Sequence, residues 1–309
     1  MATPIDEVYR LIRKLESLRH GEEAVECLVG LGPVTIGGLR QFLLEGKPQK
    51  VFQPRLWAVQ ALASLGARDV LIEYLLQEKE ISDPEDRFGE EAVASAAARC
   101  LAAWPAEDTY RLLLQLSERR MLIGLIDALA EFKTSEAMPY FERALEDDFY
   151  RSAAENAFMR LGTMAADALA RSAVTPSPSL STETPGSLAR RRSAVQLLAS
   201  IGITAALWQT LRGLLHESDA VLVVEAAKLG IRFGSKEDRT LMARRLIELL
   251  SSTSWHLRAD IEEALVKLKD QAAGEIEKEI VRRLKQREEV RGLDMCLRTL
   301  LRVKRRWEA

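Results

Sequence analysis

The sequence predicts an all-α fold built from a repeated helical hairpin. One short pattern of small and apolar residues returns nine times along the 309-residue chain, at intervals of about 28 to 40 residues. Within each copy the apolar residues stand three or four positions apart, which is the spacing of one face of a helix. No segment alternates polar and apolar residues as a half-buried strand would. Such self-similarity is typical of a solenoid, whose units bury their apolar faces only by stacking.

The best copies of the pattern end in a glycine. Counting back from Gly66, small or apolar residues stand one, four, five and eight positions before it, and an arginine stands eleven before it. The same offsets hold before Gly162 and Gly202. Each copy is predicted to be the second helix of a hairpin, here called the B helix, which glycine ends in a left-handed conformation. Weaker copies end at Gly32, Pro105, Lys133, Gly234, Lys269 and Lys304.

An A helix with its own apolar spacing is predicted before each B helix. Pro54 suits the first turn of its B helix, where the missing amide hydrogen costs nothing. We expect residues 1–309 to form a single solenoid domain of about nine hairpins. In chain order the predicted A/B pairs are 5–18 with 22–31, 39–43 with 54–65, 69–79 with 90–104, 106–117 with 120–132, 135–146 with 149–161, 164–173 with 187–201, 203–215 with 219–233, 236–250 with 255–268, and 272–287 with 289–303.

The B-helix pattern resembles that of the HEAT-repeat family, close to the bacterial HEAT-like repeat proteins. The family pattern places Val-Arg early in helix B, then Ala, then Ala-Leu, then Leu-Gly. Segments 55–66, 151–162 and 191–202 match it best, whereas the copies ending at Pro105, Lys133 and Lys304 depart most. The resemblance implies a right-handed α-solenoid of paired helices with a concave inner surface, and members of the family mostly bind proteins.

Cysteine usage and hydropathy bear on the cellular compartment. Cys27, Cys100 and Cys296 form no CxxC pair and fall at small apolar positions of the repeat. We therefore expect buried thiols in a reducing compartment. The N-terminus lacks an apolar signal core, and no stretch approaches 18 uncharged apolar residues. These features predict a cytoplasmic protein that contacts no membrane, and they leave its oligomeric state open.

The net charge of −2 hides an uneven distribution. Residues 67–150 carry 19 acidic and 9 basic side chains, a net charge of −10. Residues 271–309 carry 7 acidic and 11 basic side chains, a net charge of +4. The acidic segment is either an ordinary solvated surface or a patch suited to a basic protein partner. The overall balance argues against binding of nucleic acid, although a binder that uses the basic C-terminal part stays an alternative.

The sequence offers no catalytic, metal-binding or cofactor-binding motif. His20, His216 and His256 form no metal-spaced cluster, and neither GxSxG nor GK[ST] occurs. We therefore expect no metal and no cofactor. The predicted function is a non-catalytic scaffold or adaptor that binds a protein partner through its concave face and the A-to-B connections. The alternative is a HEAT-like enzyme similar to alkylpurine DNA glycosylases or phycobilin lyases.

Candidate partner-binding residues follow the longest connection and end the chain. The connections 45–53, 81–89 and 174–186 are longer than the others, and the last is rich in Pro, Ser and Thr. It is either a recognition loop or a neutral insertion, and we expect its shortening to leave stability almost unchanged. At least one of the three arginines that follow it should face solvent, because consecutive residues spread around a helix. The candidate residues are Arg190, Arg191, Arg192, Arg305, Arg306 and Trp307.

The tryptophans and the repeated arginine each leave two interpretations open. Trp307 is either an exposed anchor or a cap on the last repeat, whereas the other helical tryptophans are expected to be buried or partly buried. Four arginines share the position eleven before a repeat end, where they either form a ladder that grips acidic groups or bond to adjacent turns. The helical tryptophans are Trp57, Trp104, Trp208 and Trp255, and the arginines are Arg55, Arg151, Arg191 and Arg258.

Overall fold

The computed structural model describes residues 4–47, 51–177, 182–287 and 294–308. Over these ranges the chain is helical and contains no strand, which confirms the predicted all-α class. Short 3₁₀ segments join some of the helices. The helices in chain order are α1 (Pro4–Leu15), α2 (Gly21–Leu31), α3 (Ile36–Glu45), α4 (Gln53–Ser64), α5 (Arg68–Leu76), α6 (Pro84–Leu101), α7 (Glu107–Arg119), α8 (Ile123–Glu131), α9 (Met138–Ala144), α10 (Arg151–Leu161), α11 (Ala166–Val174), α12 (Pro185–Ile201), α13 (Ala205–Leu211), α14 (Ala220–Phe233), α15 (Lys236–Leu249), α16 (Trp255–Lys267), α17 (Lys269–Arg287) and α18 (Met295–Glu308).

The glycines at the repeat ends adopt the predicted backbone conformation. Gly32, Gly66, Gly162 and Gly202 have φ angles of 76°, 71°, 57° and 93°. Each directly or closely follows a predicted B helix, namely α2, α4, α10 or α12. Glycine reaches positive φ without the steric cost that a Cβ atom imposes, so it ends the helix and turns the chain.

Helix α6 begins earlier than the sequence pattern predicts. The side chain of Asp83 accepts hydrogen bonds from the backbone N–H groups of Glu85 and Asp86, and Pro84 occupies the first turn. An aspartate at the N-cap followed by proline is a strong start signal, and here it outweighs the apolar spacing that placed the start near residue 90. The connection between α5 and α6 is therefore residues 77–83.

The chain divides into two compact units. Unit 1 comprises Met1–Ala144 and Ser152–Leu161, and unit 2 comprises Leu145–Arg151 and Gly162–Ala309. The single solenoid domain expected for residues 1–309 stays a prediction.

In unit 1, successive helices of the same kind pack side by side. Among the B helices, α2 packs against α4, α4 against α6, and α6 against α8. Among the A helices, α1 packs against α3 and α3 against α5. Leu62 and Phe158, which stand four positions before a repeat end, are fully buried as the register predicts. The Phe158 ring meets Phe141 edge to face, with ring centroids 5.8 Å apart.

Unit 2 has the same kind of packing. Its B helices pack in the order α12, α14, α16 and α18, and its A helices pair as α11 with α13 and α15 with α17. Leu198, at the repeat position that Leu62 holds in unit 1, is fully buried. Trp208 is also fully buried, and its indole N–H donates to the Asp238 carboxylate at 3.2 Å.

One of the three cysteines departs from the prediction of buried thiols. Cys296 is buried and Cys100 is partly buried, but Cys27 is exposed. Cys27 lies on α2, the first B helix, and the only B helix packed against α2 in the described part of the chain is α4. Cys27 therefore lies on a part of α2 that its packing against α1 and α4 leaves exposed.

One helical segment has the length and composition of a membrane span. Residues Gly21–Glu45 form a 25-residue helical run, and the mean hydropathy over its most apolar 18-residue window is 1.4. It includes charged residues such as Glu26 and Arg40, so it does not stand out as an uncharged apolar stretch. Its Leu28 and Leu39 side chains are fully buried in the protein. The absence of membrane contact and the cytoplasmic location stay predictions.

Candidate functional site at a buried arginine–glutamate cluster

The arginine eleven positions before a repeat end makes the same contact in each of four copies. Its guanidinium donates to a backbone carbonyl at or next to the end of the preceding A helix. Carbonyls of the last helical turn lack partners within the helix, and a cation there is favourable. The pairs are Arg55 with Leu43 (2.9 Å), Arg151 with Leu145 (2.9 Å), Arg191 with Ala173 (2.8 Å) and Arg258 with Leu250 (3.5 Å).

This contact matches the interpretation in which the arginines bond to adjacent turns. Arg55 and Arg191 are buried, with 5% and 1% of their surface exposed. A buried guanidinium cannot also grip a partner, so for these two residues the structure favours the bonding to adjacent turns over the acid-binding ladder. Each of them is instead paired with carboxylates of its own unit.

In unit 1, one carboxylate serves three side chains. Arg55 on α4 forms an ion pair with Glu90 on α6 through Nη1, and its Nη2 lies 3.4 Å from the second carboxylate oxygen. The Tyr74 hydroxyl on α5 donates to Glu90 Oε1 at 2.7 Å. Lys79 Nζ, in the connection after α5, lies 3.2 Å from the same oxygen. We call Arg55, Tyr74, Lys79 and Glu90 the Glu90 cluster.

Burial and neighbouring charges shift the pKa values in the Glu90 cluster. Burial opposes ionisation of Glu90, but the hydrogen bond and charge of Arg55, aided by Tyr74 and Lys79, hold its pKa below the usual value. Burial, and then the charge of Arg55, lower the pKa of Lys79. Burial, and then the Glu90 charge, raise the pKa of Tyr74. Glu90 is therefore ionised at neutral pH, and Tyr74 is neutral.

Polar atoms at this corner of unit 1 lack partners. Arg55 Nε and Gln77 Oε1 are buried and have no hydrogen-bond partner among the described residues, and buried Lys79 Nζ has only its ion-pair contact with Glu90, at 3.2 Å. Buried polar atoms in proteins are nearly always hydrogen-bonded, and leaving one unpaired costs free energy. The Glu90 cluster thus has more hydrogen-bonding capacity than the protein itself satisfies.

A cavity of about 470 Å³ opens beside the Glu90 cluster. It lies between α5, the connection 77–83, α6 and the end of α7. Its volume falls in the range of small-molecule sites, and we call it the Lys79 cavity. Its charged and polar lining consists of Tyr74, Gln77, Glu78, Lys79, Arg87, Glu90, Glu91, Arg119 and Arg120.

In unit 2, the equivalent arginine has two carboxylates. Arg191 Nη1 lies 2.7 Å from Glu183, and Nη2 forms an ion pair with Glu217. Its Nε donates to the carbonyl of Ala173. Every nitrogen of this guanidinium is engaged, so Arg191 is a structural residue and its assignment as a partner-binding candidate is corrected.

The neighbours of Arg191 differ in their exposure. Arg190 donates to the carbonyl of Thr175 at 2.8 Å and lies 3.0 Å from the Glu146 carboxylate. Arg192 pairs with Asp219, and 42% of its side chain is exposed. One of the three arginines thus faces solvent, as the helix geometry predicts. The partner-binding role of Arg190 and Arg192 stays a prediction.

The described ends of the connection 174–186 are tied to the unit. The backbone N–H of Ser177 donates to Ser187 Oγ at 2.8 Å, and Ser177 Oγ donates to Glu146 at 3.0 Å. Glu183 accepts from Ser187 Oγ and from Arg191. Residues 178–181 lie outside the described residues. Because Glu183 balances a buried arginine, we now expect replacement of the connection to reduce stability.

Of the tryptophans near the C-terminus, Trp307 packs against the protein and Trp255 is exposed. The Trp307 indole N–H donates to the carbonyl of Val266 at 3.1 Å, and Lys269 donates to the carbonyl of Trp307. Trp307 therefore packs back against the end of α16, which agrees with the capping interpretation. Trp255, expected to be at least partly buried, is 71% exposed. It precedes Arg258 and so lies outside the repeated pattern.

Trp255 lines an open cavity of unit 2. The volume of this cavity is about 450 Å³. Trp255, Met295, Arg302 and Arg306 border it, and we call these four residues the Trp255 surface. The Glu262 carboxylate lies 2.8 Å from Arg302 and 3.8 Å from Arg306.

The Glu90 cluster was not predicted from the sequence. Glu90 follows Arg55 by 35 residues, about one repeat, so the next B helix supplies the carboxylate. In unit 2, Glu217 follows Arg191 by 26 residues. A carboxylate about one repeat after the arginine is the signal that could have indicated both pairs.

In the described ranges, no group of three or more His, Cys, Asp and Glu side chains is arranged to hold a metal ion. No protein-family model matches this chain, and no curated protein matches it at a significant level. The resemblance to HEAT repeats thus depends on the residues of this sequence alone.

Proposed function

We propose that the protein is a non-catalytic scaffold, built as a right-handed solenoid of about nine HEAT-like hairpins, that binds a protein partner in the cytoplasm. The main support is the serial packing of B helices, α2–α4–α6–α8 in unit 1 and α12–α14–α16–α18 in unit 2. Helices stacked in this way contact mainly their nearest neighbours and offer extended surfaces for binding. The repeated contact of an arginine with the preceding helix end supports the same arrangement.

The chemistry of Glu90 favours a structural over a catalytic role. A general base needs a pKa near the working pH and free access to a proton. Glu90 already accepts hydrogen bonds from Arg55 and Tyr74. Burial alone would raise its pKa, but the hydrogen bond and charge of Arg55 outweigh burial and hold the pKa below the usual value. It is therefore a weak proton acceptor.

The Trp255 surface is the proposed contact for the partner. Trp, Arg and Met are enriched at protein interfaces, and an exposed tryptophan is a frequent centre of binding energy. Arg302 and Arg306 are held by Glu262, so their side chains are partly ordered before binding. This preorganisation reduces the entropy lost when a partner docks.

The distribution of ion pairs favours a protein partner over nucleic acid. At the C-terminus, Arg302 and Arg306 pair with Glu262, and Lys304 lies 3.7 Å from Glu277. These carboxylates reduce the positive charge that phosphates would need. The acidic segment 67–150 still suits a basic partner, although some of its acids, such as Asp108, pair with arginines of the same chain.

Affinity capture from the native cell, followed by mass spectrometry, tests the proposal. The baits are the wild-type chain, Trp255→Ala and, as a matched control, Phe149→Ala, which removes another aromatic side chain that is 55% exposed. We expect the wild type and Phe149→Ala to capture the same protein, and Trp255→Ala to bind that purified partner about tenfold more weakly or worse. Equal binding by Trp255→Ala would contradict the proposed surface. Capture of nucleic acid without a protein would contradict the proposed function.

A further inference from the structure

We propose that the Lys79 cavity binds a small organic anion, with a phosphate or carboxylate group held by Lys79 and Arg120. This ligand site is independent of the proposed partner contact at the Trp255 surface, because the cavity is lined entirely by residues of unit 1.

The balance of charge at the cavity is the first argument. Arg55 and Lys79 are both paired with one carboxylate, Glu90. Arg120 also lines the cavity and has no ion-pair partner among the described residues. Its charge acts on both Lys79 and Tyr74, so it lies close to the Glu90 cluster. The lining has four basic side chains and three acidic ones, and Arg55 adds a further positive charge beside Glu90, so a bound anion would relieve repulsion among the cations.

Unsatisfied polar atoms are the second argument. Lys79 Nζ has three hydrogens to donate, and its contact with Glu90 Oε1 at 3.2 Å uses at most one of them. Phosphate and carboxylate oxygens are strong acceptors for such a donor. Gln77 Oε1 is a buried acceptor without a donor, and a hydroxyl or ammonium group of the ligand would supply one. The site thus favours an anion that also carries a hydrogen-bond donor.

The walls of the cavity are the third argument. Leu75, Leu76, Ile81 and Leu116 line it together with the charged residues. Binding sites for small molecules commonly combine apolar walls with a few convergent polar groups. The apolar side chains suit a short carbon skeleton, and the volume of about 470 Å³ exceeds what a bare inorganic ion needs. Sugar phosphates and hydroxy acids have this combination of groups.

The same anionic group could come from a free molecule or from a side chain of a bound peptide. Both offer a phosphate or a carboxylate to Lys79 and Arg120, so the chemistry of the site is shared. The probes must therefore include both sources. Glucose 6-phosphate and citrate represent free anions, and a peptide with one phosphoserine represents a partner side chain.

Protection of Lys79 from amine modification tests the proposal on the full chain. Limited reductive methylation is followed by peptide mass spectrometry, with each probe compared against sodium chloride at equal ionic strength. Lys228 is the internal control, because it pairs with Glu225 at 3.0 Å in unit 2. We expect at least one probe to slow modification of Lys79 severalfold and to leave Lys228 unchanged. The probe that protects identifies the source of the anion.

A matched pair of variants tests the contact itself. Arg120→Gln should weaken binding of the protecting probe about tenfold, as expected for loss of one charge-assisted hydrogen bond. Arg99→Gln, which removes an exposed arginine paired with Asp127 outside the cavity, should bind as the wild type does. Equal binding by Arg120→Gln would overturn the proposal. Protection of Lys79 no greater than that of Lys228 by every probe would also overturn it, and this result needs only the wild-type chain.

Discussion

Arg55 in unit 1 and Arg191 in unit 2 hold the same repeat position but have different surroundings. Both are buried, and both donate to a carbonyl near the end of the preceding A helix. Arg191 has two carboxylates, and all of its nitrogens are engaged. Arg55 shares its single carboxylate with Tyr74 and Lys79, and its Nε has no partner among the described residues.

The difference shows that a repeat can conserve a contact while its charge balance changes. Every helix ends in backbone carbonyls without a partner in the helix, so each of the four arginines has an acceptor for its hydrogen bond. The carboxylates come from segments that vary, such as Glu183 in the long connection of unit 2 and Glu90 on α6 of unit 1. One arginine therefore becomes a fully satisfied structural residue, and the other shares its carboxylate with Lys79, which lines a cavity.

Removal of one carboxylate beside each arginine should give the largest difference in stability between the surroundings of Arg55 and those of Arg191. Glu90→Gln leaves Arg55 and Lys79 without an anion, and we expect a loss of about 3–5 kcal/mol in the free energy of unfolding. Glu217→Gln leaves Arg191 paired with Glu183, so we expect only about 1–2 kcal/mol. Urea unfolding followed by circular dichroism measures both. Similar losses would mean that the number of carboxylates does not distinguish the clusters.

Apolar positions of the repeat should behave alike in the two units. Leu62→Ala in unit 1 and Leu198→Ala in unit 2 truncate fully buried side chains at the same register position. We expect each to lose about 2–5 kcal/mol of stability in the same urea experiment. A loss below about 0.5 kcal/mol at either site would show that the shared register is wrong there.

The connection 174–186 should contribute to stability through Glu183, the residue in it that pairs with buried Arg191. Glu183→Gln removes a charge that pairs with buried Arg191, and we expect a loss of about 1–2 kcal/mol. Glu26→Gln is the matched control, because Glu26 is an exposed glutamate in the middle of α2. If Glu183→Gln is as stable as the control, the expectation that shortening the connection leaves stability almost unchanged is restored.

Local sequence patterns predicted the helices and much of the core, but not the environment of individual charges. The 3.6-residue period and the glycine ends are properties of one helix, so Leu62, Phe158 and Gly202 were assigned correctly. Whether a residue at a core position is covered depends on neighbours that lie a repeat away. Cys27, on the first B helix, is exposed for this reason.

The candidate site depended on contacts that a single-helix pattern does not contain. The pairing of Arg55 with Glu90 requires knowledge of which turn of α6 faces α4. A single-helix pattern also does not determine where a side chain at the end of a helix points. Trp255 is exposed, whereas Trp307 packs against α16. The repeat position of Arg55 could be predicted, whereas the unsatisfied charge beside it required the arrangement of three helices.

The combined effect of burial and neighbouring cations on Lys79 in the Glu90 cluster is tested most directly by the pKa values of two lysines. Both Lys79 and Lys228 lie beside a buried glutamate. Burial and the charge of Arg55 lower the pKa of Lys79, whereas for Lys228 the hydrogen bond and charge of Glu225, with Asp260, overcome burial and raise its pKa.

Site-resolved NMR titration of the lysine side chains in the wild-type chain measures both values in one sample. We predict that Lys79 loses its proton below the ordinary lysine value of about 10.4 and that Lys228 loses its proton above it. A pKa for Lys79 equal to or above that of Lys228 would contradict the environment assigned to Lys79, in which burial and the charge of Arg55 outweigh the attraction of Glu90.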